Sequence, residues 1–301
     1  MRTSLPQTQR LKNMKLHNST AEIFIPDHTP RTDAMGRITH LGIGAHQDDL
    51  EFMAFHGIVA CFDSETQWFG GVTCTDGAGS SRVGAYADFT DAQMRAVRRR
   101  EQNQAAVVGR YGAMIQLDHP SASVKKTDDV ALRNDLRQIL EATRPEIIYT
   151  HNPADKHDTH VAVFAAALQA VREMPRADRP KSVLGCEGWR DLDWLDDREK
   201  VRLDVSGHDQ LANALNTIFD SQIAGGKRYD LAVMGRRCAN ATFQEAHTSD
   251  KAEQIAVAMD LTPLVEDDSL DAVEFVRAHI LKFEKTVGEG LRRFLATDKH
   301  G

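Results

Sequence analysis

The chain has 301 residues, of which 41% are hydrophobic and 27% are charged, a composition typical of a soluble globular protein. Its formal net charge of −7 argues against a general nucleic-acid-binding protein, because such proteins usually carry an excess of basic residues. No apolar run reaches the roughly 18 residues of a membrane-spanning helix, and residues 1–16 lack the apolar centre of a signal peptide. The four cysteines lie far apart and form no CxxC pair, which is typical of reduced thiols, so we expect a cytoplasmic protein without membrane or nucleic-acid partners.

The predicted secondary structure begins after a polar N-terminal segment. Residues 1–35 are mostly polar, and we expect them to form an extension that packs on the surface. Residues 37–45 (RITHLGIGA) are a short apolar run with little alternation, as expected of a strand that is buried on both faces. Apolar residues then recur at helical spacing over residues 50–62, and residues 67–77 (QWFGGVTCTDG) predict a second strand.

Strands and helices continue to alternate further along the chain. Thr90 and Gln93 form a possible capping box at the start of a helix, and a second amphipathic helix follows around residues 132–140. Residues 144–151 (RPEIIYTH) predict a strand, and residues 160–174 predict the helix after it. This alternation predicts an α/β fold with a mostly parallel sheet and helices on both of its faces.

The pattern is less regular in the C-terminal part of the chain. Residues 208–223 and 267–287 read as amphipathic helices, and we expect an α+β arrangement there. No linker sequence indicates a boundary between two domains. We therefore predict a single domain over residues 36–301, with a core at 36–175 and a C-terminal portion at 176–301.

Two clusters of possible metal ligands follow two of the predicted strands. The first is AHQDD, which contains His46 and Asp49, and the second is THNPADKHDTH, which ends at His160. Ligands bind outside the carboxyl ends of the strands in open α/β sheets, so both clusters face one crevice if their strands are near neighbours. Together these three side chains supply two histidines and one carboxylate. A catalytic zinc takes three protein ligands and keeps one position open, although such a set also fits ferrous iron or another divalent metal.

Two further residues of these clusters are candidates for catalysis. Asp48 would remain beside the metal, where a free carboxylate can act as general base. His157, one turn before His160, could stabilise an oxyanion or protonate a leaving amine. The alternative is that Asp48 and Asp49 only cap the helix that follows, and an HxxH pair arises easily in a chain with 13 histidines. The joint occurrence of both clusters at strand ends favours a metal site.

These motifs resemble those of the PIG-L-like, also called LmbE-like, N-deacetylases. AHQDDLE is similar to the AHPDDxE motif of that family, and HDTH is similar to its second motif, HPDH. TCTDGAGSSR and RRREQNQAAVVGRYG resemble the loop after the second strand and the Arg-Glu helix of the family. The matches follow the order of the family and cover about residues 38–171.

The resemblance implies a Rossmann-like fold and a specific set of roles. The implied activity is zinc-dependent removal of an N-acyl group, usually acetyl, from an amino sugar such as an N-acetylglucosamine derivative. His46, Asp49 and His160 would be the zinc ligands. Asp48 would be the general base, and His157 would assist at the tetrahedral intermediate.

The sequence departs from the family pattern at three places. Gln47 replaces the usual proline, and Thr159 replaces the usual aspartate between the two histidines. Residues 55–57 (FHG) stand where the family often has a pair of glycines. None of these positions is an expected ligand, so the departures bear on the shape of the loops rather than on the chemistry.

Two other residues are weaker candidates for the site. Arg82 lies in the loop DGAGSSR just past a strand end, where it could bind a substrate hydroxyl, phosphate or carboxylate, or could be a solvated loop arginine. Asp155 could orient a zinc-ligand histidine from outside the ligand set. It could equally cap the turn before the helix.

Several conspicuous side chains have ordinary interpretations. We expect residues 98–100, three arginines, to form a solvated helix face with one salt bridge to Glu101. The basic stretch 226–243 could form a pocket wall for an anion or a contact between subunits. Trp189 and Trp194 are expected in the core or in an interface.

The sequence therefore predicts a hydrolase that acts on a small polar substrate, with homo-oligomers possible. One rival function keeps the site but changes the substrate to a non-sugar amide conjugate. A second rival is a non-catalytic Rossmann-like protein that binds a small molecule. No GxGxxG follows the first strand, which argues against a dinucleotide as that small molecule.

Overall fold

An eight-stranded sheet forms the centre of the computed structural model, which describes residues 14–295. The strands run in the order β1-β4-β3-β2-β5-β6-β8-β7. Strands β2 to β6 are parallel to one another, and β1 and β8 are antiparallel to the strands β4 and β6 beside them. The strands are β1 Glu22–Phe24, β2 His40–Gly44, β3 Phe69–Thr75, β4 Ala113–His119, β5 Ile147–His151, β6 Ser182–Cys186, β7 Lys200–Asp204 and β8 Ile255–Asp260.

Helices cover both faces of this sheet. They are α1 Arg31–Gly36, α2 Asp49–Met53, α3 Phe55–Phe62, α4 Asp91–Val108, α5 Ser121–Val124, α6 Ala131–Thr143, α7 Asp158–Arg172, α8 Asp209–Thr217, α9 Asp220–Ile223, α10 Tyr229–Thr242, α11 Thr262–Glu266 and α12 Ala272–Leu295. The α6 and α7 helices pack on one face, and α2, α3, α4 and α8 pack on the other, so the core consists of two clusters separated by the sheet. The predicted α/β fold is thereby confirmed.

Two simple properties of the described chain accompany this fold. Within residues 14–295, none of the helices is both long and apolar enough to cross a membrane. The four cysteines are free, and only Cys238 is exposed.

The N-terminal extension contributes a strand to the sheet. Residues 1–13 lie outside the described residues, but β1 pairs with β4 at the edge of the sheet, with Ile23 opposite Ile115. The extension therefore does more than pack on the surface, because its backbone satisfies the hydrogen-bonding groups of β4, which would otherwise form an exposed edge.

Several elements differ from the sequence-based expectation. The β1, β4, β6, β7 and β8 strands were not predicted. The helix expected over residues 50–62 is interrupted at Ala54, where φ is −104° and ψ is 17°. Hydrogen bonds from Ala54 N to Leu50 O and from Ile58 N to Ala54 O still link the two pieces. The capping box of Thr90 and Gln93 is present as predicted.

The order of the strands determines where a site can form. The β2 strand lies between β3 and β5, and all three are parallel. The chain leaves β2 in one direction along the sheet and later returns to its other side, so the strand order reverses at β2. Crevices that bind ligands form at such reversals, outside the carboxyl ends of the strands. Both clusters of predicted ligands begin at this point.

Close packing of α3 against the sheet leads to a prediction about Gly57. A Cβ atom added there would lie 2.6 Å from Cε2 of Tyr149 and 3.1 Å from Cε2 of Phe69. We expect Gly57→Ala to lower the free energy of unfolding by about 1–3 kcal/mol, because overpacking outweighs the gain in helix propensity. The control is Gly235→Ala in α10, where a Cβ would meet no atom within 4 Å. This change should stabilise the protein by about 0.5–1 kcal/mol. Urea unfolding measures both, and equal stabilisation by the two changes would contradict the packing argument.

Candidate metal and catalytic site

Three of the predicted ligands face one another at the carboxyl ends of β2 and β5. Nδ1 of His46 lies 3.3 Å from Oδ2 of Asp49 and 3.3 Å from Nε2 of His160. Nε2 of His160 lies 3.5 Å from Oδ1 of Asp49. Ligand atoms placed 2.0–2.2 Å from a tetrahedral ion are separated from one another by about 3.3–3.6 Å. The spacing of these three side chains therefore fits a shared divalent cation.

Hydrogen bonding outside this triad orients His160. Nδ1 of His160 lies 3.3 Å from Oδ2 of Asp155, so a proton on Nδ1 points to Asp155 and leaves the Nε2 lone pair directed at the triad. Burial lowers the pKa of His160, but Asp49 and Asp155 outweigh burial and raise it in the metal-free protein. Asp155 also accepts hydrogen bonds from the backbone N–H groups of His157 and Trp189, each at 3.0 Å. The sequence left open whether Asp155 orients a ligand histidine or caps the turn before the helix, and in the structure it does both.

The charge of Asp49 is stabilised by the histidines around it. Burial alone would raise the pKa of Asp49, but His160 and His151 outweigh burial and hold the pKa well below its usual value. The carboxylate also accepts a hydrogen bond from the backbone N–H of His46, at 2.7 Å. Asp49 is therefore ionised, as a metal ligand must be.

His151 is a neighbour of the triad that the sequence analysis did not nominate. It is the last residue of β5, and its ring stacks on that of His160 with centroids 3.8 Å apart. Its Nε2 accepts a hydrogen bond from the backbone N–H of Ala45, at 2.9 Å. Burial lowers the pKa of His151 to about 4, so the ring is neutral at pH 7. The stacked ring of His151 limits the movement of the His160 ring. The sequence did contain a signal for this residue, because His151 ends a predicted buried strand at the edge of the sheet where the site was expected.

A second group of possible ligands, His151, Asp155 and His160, shares one histidine with the triad. The Nε2 lone pair of His151 and both oxygens of Asp155 already accept hydrogen bonds from backbone N–H groups. These atoms would have to give up their partners to bind a cation. The triad of His46, Asp49 and His160 is therefore the better site.

The backbone at Asp48 is held in an uncommon conformation beside the triad. Its φ of 102° lies in the left-handed region that residues other than glycine seldom adopt. The backbone N–H of Asp48 donates to Oε1 of Gln102 at 3.1 Å, and its Oδ2 accepts from Nη2 of Arg98 at 2.9 Å. Burial raises the pKa of Asp48 to about 6, although Arg98 opposes the shift. Such a carboxyl group is mostly ionised at pH 7 and titrates in the range suited to a general base.

Arg98 is not part of a solvated face, and the expectation for this arginine was wrong. It is 1% exposed. Besides Asp48, it donates to the backbone carbonyl of Gln47 and, from Nη1 at 3.1 Å, to Glu101. Only the predicted salt bridge to Glu101 is confirmed. Glu101 in turn accepts hydrogen bonds from the backbone N–H and hydroxyl of Ser221, so the buried charges form a connected network.

A second buried network lies behind Asp48. Glu51 is fully buried, and its Oε1 accepts hydrogen bonds from the hydroxyl of Tyr111 at 2.6 Å and from Nε2 of Gln102 at 2.8 Å. Burial raises the pKa of Glu51 to about 7. Because the same Gln102 accepts from the backbone of Asp48, Glu51 fixes the orientation of the amide that holds Asp48. The motif AHQDDLE alone did not indicate this supporting role of Glu51.

The two replacements in the motifs have clear structural consequences. Gln47 is buried, and its Nε2 donates to the backbone carbonyl of Thr75 at 3.0 Å, so a side-chain hydrogen bond ties the loop to β3. Thr159 is buried and lines the cavity described next. His157 is half-buried, and its ring lies 5.0 Å from that of His46 and 4.5 Å from that of His160, centroid to centroid.

A cavity of about 580 Å³ opens above the triad. Its lining includes Asp48, His157 and Trp189. Trp189 is 38% exposed, so of the two expected locations, core or interface, the core is wrong for this residue. The structure does not bring Arg82 into this cavity. Its guanidinium instead donates to Asp91 at 2.5 Å on a shallow neighbouring surface.

The burial of Arg98 leads to a prediction about stability. Arg98→Ala leaves Asp48 and Glu101 buried without their partner, and we expect the free energy of unfolding to fall by about 3–5 kcal/mol. The matched control is Arg99→Ala on the same helix, which removes a partly exposed pair with Asp118. It should cost about 1 kcal/mol or less. Denaturant unfolding with circular dichroism measures both, and similar losses for the two variants would contradict the analysis.

Comparisons with known proteins agree with this geometry. Residues 41–171 match the model of the family described as "PIG-L: GlcNAc-PI de-N-acetylase". A sequence search of curated proteins returns no match.

The solved structures that are similar to the chain include the following three. The conserved protein TT1542 from Thermus thermophilus has a TM-score of 0.58 at 16% identity, over 77% of this chain and 99% of that one. The 4-carboxy-2-hydroxymuconate hydratase GalB from Pseudomonas putida has a TM-score of 0.55 at 17% identity, over 75% and 96%. The N,N'-diacetylchitobiose deacetylase from Pyrococcus horikoshii has a TM-score of 0.54 at 15% identity, over 77% and 88%.

At 15–17% sequence identity, these structures show only that the fold is shared. The family match is evidence about the sequence motifs. That match begins in β2 and ends in α7, so it contains both clusters of metal ligands and the helix that carries Arg98. Residues 41–171 therefore match the PIG-L family, and the rest of the chain lies outside that match.

Proposed function

We propose that the protein is a zinc-dependent hydrolase that removes an N-acyl group, foremost acetyl, from an amino sugar or a conjugate of one. The observation that carries the proposal is a buried, ionisable carboxylate, Asp48, directly beside a ligand set of two histidines and one carboxylate. Hydrolysis of an unactivated amide needs a polarised carbonyl and a base that activates water, and this pairing supplies a group for each.

His46, Asp49 and His160 would hold the cation in this proposal. A zinc ion bound there would supply Lewis-acid polarisation of the acyl carbonyl and would make a bound water easier to deprotonate. Two nitrogen ligands and one oxygen ligand also suit ferrous iron, so zinc is the proposed ion and metal analysis decides it.

Asp48 would act on the water that attacks the acyl carbon. The carboxylate takes one proton as the new carbon–oxygen bond forms, and it then gives that proton to the amide nitrogen as the carbon–nitrogen bond breaks. The products are an amine and a carboxylic acid, which releases its proton at neutral pH. Arg98 keeps Asp48 ionised at neutral pH and fixes the direction of its carboxylate, since the guanidinium bonds both the side chain and the preceding carbonyl.

His157 would stabilise the tetrahedral intermediate as a neutral hydrogen-bond donor. Burial lowers the pKa of His157 below its usual 6.5, and the nearby His160 and His46 lower it further. The imidazole is therefore uncharged at pH 7. Its Nδ1 has no partner among the described residues, so this nitrogen is free to bind the reacting group.

The proposed substrate class rests on the family and on the cavity. The family takes its name from a de-N-acetylase of a glucosamine conjugate, and one structural neighbour deacetylates N,N'-diacetylchitobiose. A volume of about 580 Å³ falls within the usual range of small-molecule sites. An amino sugar with one further substituent would fit, and a cytoplasmic location remains part of the proposal.

The hydratase among the neighbours shows why the fold alone does not decide the reaction. It shares the architecture of this chain at 17% identity, yet it adds water rather than splitting an amide. The family match over both motifs favours deacetylation here. A screen of N-acetylated sugars and non-sugar amides on metal-loaded enzyme, read by release of free amine, tests the proposal. Absence of release from every amide would refute it.

The two adjacent aspartates should have separable roles. Asp49→Asn removes an anionic ligand, and we expect the bound metal per chain to fall together with activity. Asp48→Asn should keep the metal but lower kcat by about 10²–10⁴-fold, the usual contribution of a general base. Metal stoichiometry by mass spectrometry and kcat of each variant measure this division. If both aspartates only capped α2, asparagine would cap the helix about as well as aspartate. In that case neither the metal stoichiometry nor kcat would change.

The pH profile should show a single acid limb. Since Asp48 must be ionised and its pKa is raised to about 6, kcat/KM should fall about tenfold per pH unit below an inflection at about pH 6. A charged His157 would add an alkaline limb, but its pKa lies below 6.5, so we expect a plateau from about pH 7 to 9. A rate that stays constant from pH 5 to 7 would exclude Asp48 as the base.

A further inference from the structure

One wall of the cavity carries positive charges that have no carboxylate partners in the described part of the chain. The wall is formed by residues 187–189, which follow β6, and by α10 with the loop before it. In a chain with a net charge of −7, unpaired cations gathered around one cavity call for an explanation. The cations that line it without an ion pair are Lys125, Lys227, Arg236 and Arg237.

Two of these cations meet on the same short segment. Nζ of Lys227 lies 5.0 Å from the centroid of the Trp189 ring. Nη1 of Arg236 donates to the backbone carbonyl of Gly188 at 2.5 Å. The Trp189 ring is in turn 6.1 Å from the ring of His157, centroid to centroid. Lys227 is thus one aromatic ring away from His157, and Arg236 is bonded to the residue that precedes this ring.

The acid on this wall does not neutralise them. Glu187 accepts hydrogen bonds from Nδ2 of Asn240 at 2.8 Å and from the backbone N–H of Leu192 at 3.1 Å, and it forms no ion pair with Arg236. Arg236 lies near enough to lower the pKa of Glu187, but burial outweighs this effect and raises that pKa. Because neutral donors occupy the carboxyl group, Glu187 compensates the charge of Arg236 only in part.

A third cation adds charge from beneath the wall. Arg237 is 3% exposed, and its Nη2 donates to the backbone carbonyls of Glu51 and Phe52 at 2.8 and 3.0 Å. Its guanidinium carbon lies 4.2 Å from the centroid of the Phe55 ring. Its Nε and Nη1 have no hydrogen-bond partner among the described residues. A buried guanidinium that only carbonyls and a ring compensate leaves a net positive potential in the adjoining cavity.

We propose that Lys227 and Arg236 bind an anionic group of the substrate, a phosphate or a carboxylate, while the acyl group lies at the triad. The inference rests on the proposed function and makes its substrate class specific: an N-acyl amine that carries negative charge about one sugar ring away from the amide. Arg236 can present a planar pair of donors to such a group, and Lys227 can leave the Trp189 ring to contact it. The aromatic ring then remains as a flat surface for the sugar.

Three N-acetylated probes test the preference with the metal-loaded enzyme. They are N-acetylglucosamine, which is neutral, N-acetylglucosamine 6-phosphate and N-acetylmuramic acid, which carries a carboxylate. We expect kcat/KM for at least one anionic probe to exceed that for the neutral probe by about tenfold or more, and the better anion identifies the group. Equal values for all three probes would overturn the inference.

Charge variants locate the preference on this wall. Lys227→Gln and Arg236→Gln should each lower the ratio of kcat/KM between the anionic and neutral probes by about tenfold. The matched control is Arg228→Gln, which removes one positive charge next to Lys227 from an arginine that is already paired with Asp230. The control should leave the ratio unchanged. A ratio that falls equally in all three variants would show a general effect of charge and refute the site.

A binding measurement separates this inference from the proposed function. Quenching of tryptophan fluorescence by glucosamine 6-phosphate, with glucosamine as the neutral reference, measures binding without any hydrolysis, and Trp189 is the one of the three tryptophans that lines the cavity. We expect the phosphate to bind at least about tenfold more tightly than the neutral sugar, and this advantage to be lost in Lys227→Gln. Binding without amide hydrolysis would support the anion site and refute the deacetylase. Hydrolysis without an advantage for the anions would do the reverse.

Discussion

The contact between Arg98 and the segment Gln47–Asp48 is the constraint on which the candidate site depends. The guanidinium bonds the carboxylate of Asp48 and the carbonyl before it, and Gln102 of the same helix bonds the backbone N–H of Asp48. These contacts hold Asp48 at a positive φ, a conformation that costs roughly 1–3 kcal/mol in a residue other than glycine. The backbone turn in turn directs Asp48 and Asp49 to different partners, although they are adjacent in the sequence.

The segment buries three carboxyl groups within four residues, and each group is compensated in a different way. Histidines hold the pKa of Asp49 well below its usual value, burial against Arg98 leaves that of Asp48 at about 6, and burial raises that of Glu51 to about 7. Environments that push the pKa values of neighbouring acids apart are what allow one site to hold a permanent anion and a titrating base together. The third acid, Glu51, has a pKa of about 7 and holds the side chain of Gln102 in place.

The sequence predicts the parts of this arrangement that depend on local pattern. A buried strand followed by AHQDD and a second one followed by HDTH must open to one crevice if the strands are neighbours in a parallel sheet, and β2 and β5 are neighbours. The burial of Arg98 was not predictable in the same way, because its partner lies 50 residues earlier and an arginine on a helix is usually solvated. The β4 strand was missed because its seven residues include polar side chains that bond to other elements, such as Gln116 to the carbonyl of Arg99.

For the basic stretch 226–243, the sequence pattern did not decide between two interpretations, whereas the contacts in the folded chain place it at the cavity. Its sequence fits a pocket wall and a subunit contact equally well. The fold turns α10 so that Arg237 bonds the backbone carbonyls of α2, and the neighbouring Arg236 is thereby brought to the segment of Trp189. All three residues lie beyond residue 171, where the family match ends. The matched part holds the candidate ligands and base, whereas the unmatched part forms the wall that would contact the rest of a substrate. For this reason the family match bears on the candidate ligands and base, whereas the contacts of that wall with a substrate have to be tested on this chain itself.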